Sequence, residues 1–296
     1  MNLTWDTMDD ITNVSESLLK SMDPDVPLLR DYYENINGCI ILAMAVGGLL
    51  FFTNFGVFLH TVSEIFGKVQ KEYQSRTLLL CGLYPVVSTA AFVTLLVPES
   101  FLVCNTVMHI SFSVCAFIFY QLCFLYVNGE DNFLKNVDSD ALDIKTPPVC
   151  CCCMFFKLMT PTKDRLCVVR WMVLQLPIFQ FLIMLVLNVI YIQEPIIYYN
   201  SYIYFAPFML ASILIGLWGL NILIKLMKYF SLQLVLVFCK LQAVILENAL
   251  KYVDFGGTYP ITNTVYALTI IQVLILVEMC ILTFLVKKAY KKPMLS

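Results

Sequence analysis

The chain has 296 residues, 60% of them hydrophobic and only 14% charged, with a mean hydropathy of +0.80. An ordinary soluble domain carries about 25% charge, so lipid rather than water is the main solvent. A net charge of −2 gives no basic footprint for nucleic acid.

Unsatisfied backbone amides are costly in hydrocarbon, so such a chain crosses as helices or as a closed barrel. Its apolar runs exceed about 20 residues and do not alternate with period two, which selects helices. The expected fold class is all-α, a polytopic membrane protein.

Residues 1–38 form an acidic tail: eight acids (Asp6, Asp9, Asp10, Glu16, Asp23, Asp25, Asp31 and Glu34) stand against Lys20 and Arg30. Two sequons, Asn2-Leu3-Thr4 and Asn13-Val14-Ser15, make Asn2 and Asn13 candidate N-glycosylation sites, a modification confined to the lumenal or outer side. No charged-apolar-small pattern opens the chain, so no cleaved signal peptide is expected. The first apolar helix is then the insertion signal.

Seven apolar stretches follow, at about 39–59, 77–97, 101–127, 168–192, 202–226, 229–252 and 264–286. Together, 39–286 make the transmembrane domain. The link between the second and third, Pro98-Glu99-Ser100, is short enough to predict a tight antiparallel hairpin. Pro85, Pro177 and Pro207 fall inside helices, where kinks are expected. The tyrosine- and isoleucine-rich segment near Gln193–Ser201 reads as an outer loop lying in the interface, and 254–260 carries turn chemistry. A cytoplasmic loop, about 128–167, separates the third and fourth crossings. Lys287, Lys288, Lys291 and Lys292 open a short basic tail, 287–296. With seven crossings and the N-terminus outside, fifteen of the nineteen basic residues fall on the inner side, as the positive-inside rule requires.

Twelve cysteines lie mostly in helices or on the inner, reducing side; Cys39 and Cys104 sit near outer helix ends, where they could pair. The block Cys150-Cys151-Cys152-Cys153 is poorly spaced for tetrahedral metal binding. Beside Met154-Phe155-Phe156 and Lys157 it suits S-palmitoylation, which would pin the loop to the inner leaflet. Unmodified interfacial thiols and a metal or redox role are the alternatives.

In the sixth crossing Gln233, Lys240 and Glu247 are spaced by seven, so they share one face, which Lys251 continues. Lys240 sits near the midplane, where a lysine costs about 2.5–3.5 kcal/mol on insertion scales. Glu247 lies about 10 Å further out, and Glu278 of the last crossing lies at the depth of Lys240. Two readings stand: a Lys240–Glu278 ion pair that sets helix register, or a polar path in which Lys240 attracts anions. Gln175, Gln180, Asn188, Asn221 and a polar set in the third crossing (Asn105, Thr106, His109, Ser111, Ser113) suit interhelical hydrogen bonding. His109 reads as a helix-bridging donor or, less simply, a metal ligand. No phosphate loop, serine elbow, HExxH or zinc finger occurs, so neither enzymatic chemistry nor a cofactor is expected.

Three segments carry a family resemblance: Tyr126-Val127-Asn128-Gly129-Glu130-Asp131-Asn132-Phe133-Leu134; the cysteine block with Pro147-Pro148 before it; and Pro177-Ile178-Phe179-Gln180-Phe181. Over roughly residues 38–292 the chain resembles the alpha subunit of the organic solute transporter, a seven-pass family; Glu278 falls where that family places an acid. Adjacent glycines usual in the first segment are reduced here to Gly129. The resemblance implies facilitative, bidirectional transport of steroid-derived anions such as bile acids and sulfated steroids. It implies a small single-pass beta subunit as partner, with a second copy of the chain and membrane lipid as further candidates. It also implies a multi-pass place in the plasma membrane, basolateral in a polarised cell, with some protein in the endoplasmic reticulum. Gln180, Gln233, Lys240, Glu247 and Glu278 are the candidate substrate-path residues. An acylated scaffold or trafficking protein without transport is the alternative, and so is a seven-pass receptor. Against a receptor, the third crossing ends in Tyr126-Val127-Asn128-Gly129 rather than an Asp-Arg-Tyr type signature.

Overall fold

A computed structural model describes residues 27–126, 129, 130, 132, 163–226, 253, 256, 257 and 260–291. Among them there is no strand. The helices are α1 (Leu29–Glu34), α2 (Gly38–Lys68), α3 (Lys71–Leu96), α4 (Phe101–Tyr126), α5 (Lys163–Gln193), α6 (Pro195–Leu226) and α7 (Asn263–Lys291), with a 3-10 turn at Pro98–Ser100. Six of these, α2 to α7, are long and apolar enough to cross a membrane, so the protein is an all-helical polytopic membrane protein. The expected sixth crossing, 229–252, lies outside the described residues.

Most of the helices overrun the apolar stretches that announced them, most of all α2 at the end that carries Lys68 and α6 at its start. Hydropathy marks only the hydrocarbon layer, whereas the backbone gains from continuing its hydrogen bonds into the interface. The same reason corrects the expected outer loop near Gln193–Ser201. Only Glu194 separates α5 from α6, and 195–200 are already helical, with Pro195 at the first position, where its missing N–H costs nothing.

Local chemistry sets the other ends. Asn37 caps α2, its side chain accepting from the Ile40 amide at 3.1 Å. At the α2–α3 corner Gln74 Nε2 donates to the Phe66 and Val69 carbonyls at 3.3 and 2.8 Å, which satisfies groups the end of α2 leaves over. The α3–α4 link is the short hairpin expected. Its Ser100 hydroxyl donates to the Val97 carbonyl at 2.7 Å. Pro85, Pro177 and Pro207 fall inside α3, α5 and α6.

Between helices in lipid no water is expelled, so packing and hydrogen bonds do the holding. α3 packs on α2, α4 and α7, and α4 packs on α5, which packs on α6. The main core joins Ile65, Leu80, Tyr84, Phe119, Leu122, Val173, Leu220 and Leu282.

Register follows from the contacts. Cys115 Sγ donates to the Leu79 carbonyl at 3.8 Å and Tyr73 stacks on Tyr126, so α3 and α4 are antiparallel. Asn188 Nδ2 donates to Thr106 Oγ1 at 2.7 Å, and Ser212 Oγ to Gln175 Oε1 at 2.9 Å, so α4–α5 and α5–α6 alternate likewise. α2 and α7 are parallel: Asn37 at the start of α2 donates to the Tyr266 hydroxyl near the start of α7, and further along both helices Asn54 meets Thr283.

This register gathers charge by end. Among the described residues Lys68, Lys71, Arg76, Lys163, Arg165, Arg170, Lys287 and Lys288 share the end where α2 finishes. Asp31, Glu34, Glu99 and Glu194 share the opposite, acidic end, where Arg30 is paired to Glu34 at 2.9 Å.

Candidate functional site

α5 carries polar side chains on the face it turns to its neighbours. Gln175 and Ser212 lock α5 to α6 reciprocally: the serine hydroxyl donates to Gln175 Oε1, and Gln175 Nε2 donates to the Ser212 and Met172 carbonyls at 3.0 and 3.2 Å. Five residues on, Gln180 is fully buried. Its Nε2 donates to the Met209 carbonyl at 3.3 Å, while its Oε1 has no partner among the described residues. Asn188 and Thr106 tie α5 to α4. The interhelical role expected of these residues is what the structure shows for Gln175, Gln180, Asn188 and Thr106. His109 is buried and sits in no candidate metal cluster among the described residues.

α6 approaches α5 closely because glycines line its near face. A Cβ added at Gly216 would sit 2.1 Å from Leu176 Cδ1, and one at Gly219 3.1 Å from Val173 Cγ2. Beside this contact, the outer faces of the pair diverge into a groove of about 410 Å³ lined by Val168, Trp171, Met172, Gln175, Phe179, Phe208, Ala211, Ser212 and Ile215. Gln175 and Ser212 satisfy each other, so the groove presents mostly apolar surface. On another face of α5, at the basic end, lies a cavity of about 530 Å³ formed with α3 and α4. It is bounded by Glu72, Arg76, Phe117, Tyr120, Gln121, Phe124, Leu125, Gly129, Glu130 and Arg170. Gly129 adopts φ +102, a left-handed conformation favourable to glycine. Both volumes fall in the range of small-molecule sites, about 300–1,000 Å³.

Of the substrate-path candidates the structure places two, and it does not bring them together. Gln180 packs toward α6, whereas Glu278 is half-buried on α7, which packs on α2 and α3. Gln233, Lys240 and Glu247 lie outside the described residues, as do Cys150, Cys151, Cys152, Cys153, Asn2 and Asn13. Cys39 and Cys104 are free thiols. The basic-end cavity was not foreseen, although Gly129 and Glu130 belong to a segment already singled out. Nor was the buried contact of Asn54 with Ser88 and Thr283. An asparagine and a threonine inside apolar runs were its only signal.

The model of the family described as "Organic solute transporter Ostalpha" matches residues 43–294. The chain belongs to that family. Among its relatives, a Drosophila melanogaster protein named "Organic solute transporter alpha-like protein" is 39% identical over 97% of this chain and 92% of its own length. The Danio rerio "Organic solute transporter subunit alpha" is 22% identical over 88% of this chain and 83% of its own. A Caenorhabditis elegans "Organic solute transporter alpha-like protein 3" is 23% identical over 62% and 57%. No solved structure gave a significant match. The family and these relatives are named as transporters, not enzymes, so this organic solute transporter alpha family member is a membrane solute transporter.

Proposed function

We propose that the chain carries steroid-derived organic anions, bile acids and sulfated steroids, down their gradient in either direction. It acts as the alpha subunit beside a small single-pass beta subunit, in the plasma membrane. The observation that carries this reading is the apolar groove between α5 and α6, open on the side of the bundle and sized for a fused-ring body. A rigid apolar body can slide along such a wall while its charged group keeps to polar surroundings. On this reading Gln180, Gln233, Lys240, Glu247 and Glu278 are the candidate polar groups of the path, with Lys240 as the attractant for anions.

The proposed topology has seven crossings, a glycosylated N-terminal tail outside, and a cytoplasmic C-terminus. Two findings support it. α6 and α7 both run in the direction of α2, so residues 227–262 must return from the basic end to the acidic end. The gathering of lysine and arginine at one end fits that end facing the cytoplasm.

Uptake of a labelled sulfated steroid into vesicles, with and without a beta-type partner, tests the function. The expected result is saturable flux in both directions that needs the partner and falls in Lys240→Gln. A scaffold or a receptor would carry no flux at all, and that outcome overturns the reading.

A further inference from the structure

We propose that the basic-end cavity binds an amphiphile by its oxyanion head, a sulfate, carboxylate or phosphate carried on an apolar body. The inference deepens the transport reading by giving its ligand class a second place to sit, at the end opposite the acidic one.

Two guanidinium groups from different helices border the cavity, Arg76 on α3 and Arg170 on α5. Arg76 is half-buried and Arg170 exposed. The carboxylates of Glu72 and Glu130 also border it; both are exposed, whereas Arg76 is half-buried, so water and salt screen the carboxylates more than Arg76. Among the described residues no ion pair joins either arginine to a carboxylate. No described carboxylate therefore occupies these forked donors, and a guanidinium fork matches the paired oxygens of a sulfate, carboxylate or phosphate. Deeper in, Tyr120 is buried and its hydroxyl has no hydrogen-bond partner among the described residues. Phe117 and Phe124 supply apolar wall beside these polar groups. Charge at the rim with aromatic surface within is the complement of an amphiphile rather than of a free inorganic anion.

Such a head could arrive on a soluble steroid conjugate or on a membrane phospholipid, and binding measurements separate the two. The full chain in phosphatidylcholine nanodiscs is titrated with a labelled sulfated steroid and with its uncharged 3-hydroxy parent. In a second arm, phosphatidylglycerol is added to the disc and the shift in unfolding temperature is read. Arg76→Gln and Arg170→Gln are expected each to weaken the sulfated steroid at least tenfold and to leave the parent unchanged. The Arg→Lys forms should recover part of the loss, and added salt should reduce binding to the native chain. A response to the arginine variants confined to the phospholipid arm supports the same site with lipid as its source. If both Gln variants unfold at the native temperature and keep native affinity for both anions, or if the native chain binds neither, the proposal falls. Unchanged affinity in the variants beside intact flux would sink the site and leave the transport reading standing; arginine-dependent binding in a chain that carries no flux would do the reverse.

Discussion

Asn54 and Thr283, 229 residues apart in sequence, meet in the interior of the bundle, where the threonine hydroxyl shares its proton between Asn54 Oδ1 and the Met279 carbonyl. The Asn54 amide donates to Ser88 Oγ and to the Tyr84 carbonyl, 3.3 Å away. One asparagine thus ties α2 to α3 and α7. It is fully buried, so its removal strands polar groups where neither water nor lipid can satisfy them. Interhelical hydrogen bonds in membranes average about 0.6 kcal/mol with a maximum near 1.7, and several go at once. Asn54→Leu is expected to cost about 1–3 kcal/mol, read as a lowered unfolding temperature in detergent, and Ser88→Ala alone should cost less. An unchanged midpoint in Asn54→Leu would show that the contact holds nothing.

The approach of α6 to α5 makes a sharper prediction. Gly216→Ala puts a methyl 2.1 Å from Leu176 Cδ1 and 3.0 Å from its Cγ, so the leucine must leave its rotamer or the helices must part. Overpacking of this kind costs about 1–3 kcal/mol. Leu176→Ala should itself be destabilising, yet combining it with Gly216→Ala should recover most of the glycine variant's loss. A thermal-stability double-mutant cycle reads this coupling, and simple additivity would refute it.

These two contacts also show where a sequence stops speaking. The helices were legible because lipid imposes one rule on every residue of a span, and a run of apolar residues records that rule directly. The α3–α4 hairpin was legible because Pro98-Glu99-Ser100 leaves no room for anything else. Partners across helices were not, since nothing in the surroundings of Asn54 names Thr283, and a glycine in an apolar run does not say which leucine it faces. The cavity was hidden for the same reason. Arg76 and Arg170 read only as inner-side charges until the register of α3, α4 and α5 set them around one space.

At the acidic end, α1 docks through Tyr32, whose hydroxyl donates to the Leu95 carbonyl at 3.3 Å. Burial first, and the neighbouring Tyr33 second, push its phenol from 10.0 up to about 12. The folded chain therefore keeps this proton where the unfolded chain has lost it. The contribution is fully present below pH 10 and is lost as pH rises to about 12. Tyr32→Phe, which keeps the ring and cannot ionise, should show a smaller fall in unfolding temperature over that window than the native chain. Parallel curves would mean that Tyr32 titrates as an ordinary tyrosine.

For the four adjacent cysteines the expected chemistry is a thioester, which neutral hydroxylamine cleaves and a disulfide or free thiol does not. In a form with Cys167→Ser, whose only loop cysteines are Cys150, Cys151, Cys152 and Cys153, hydroxylamine should release acyl chains and lower the intact mass accordingly. Replacing all four by serine should abolish the release. No release from the first form would end the acylation reading.

The parallel course of α2 and α7 gives the last prediction. α6 finishes at the basic end and α7 begins at the acidic end, so whatever joins them must change sides. On the proposed seven-crossing topology that change of sides is one more passage of the bilayer. A flexible insert bearing an Asn-X-Thr sequon, placed after Gly256, should acquire a glycan in cells, whereas the same insert placed after Lys228 should not. Glycans expected at Asn2 and Asn13 on the same topology serve as the internal control. Glycans at both inserts would mean that α6 and α7 start from opposite sides, and a glycan at the Lys228 insert alone would invert the orientation; either outcome contradicts the proposed topology.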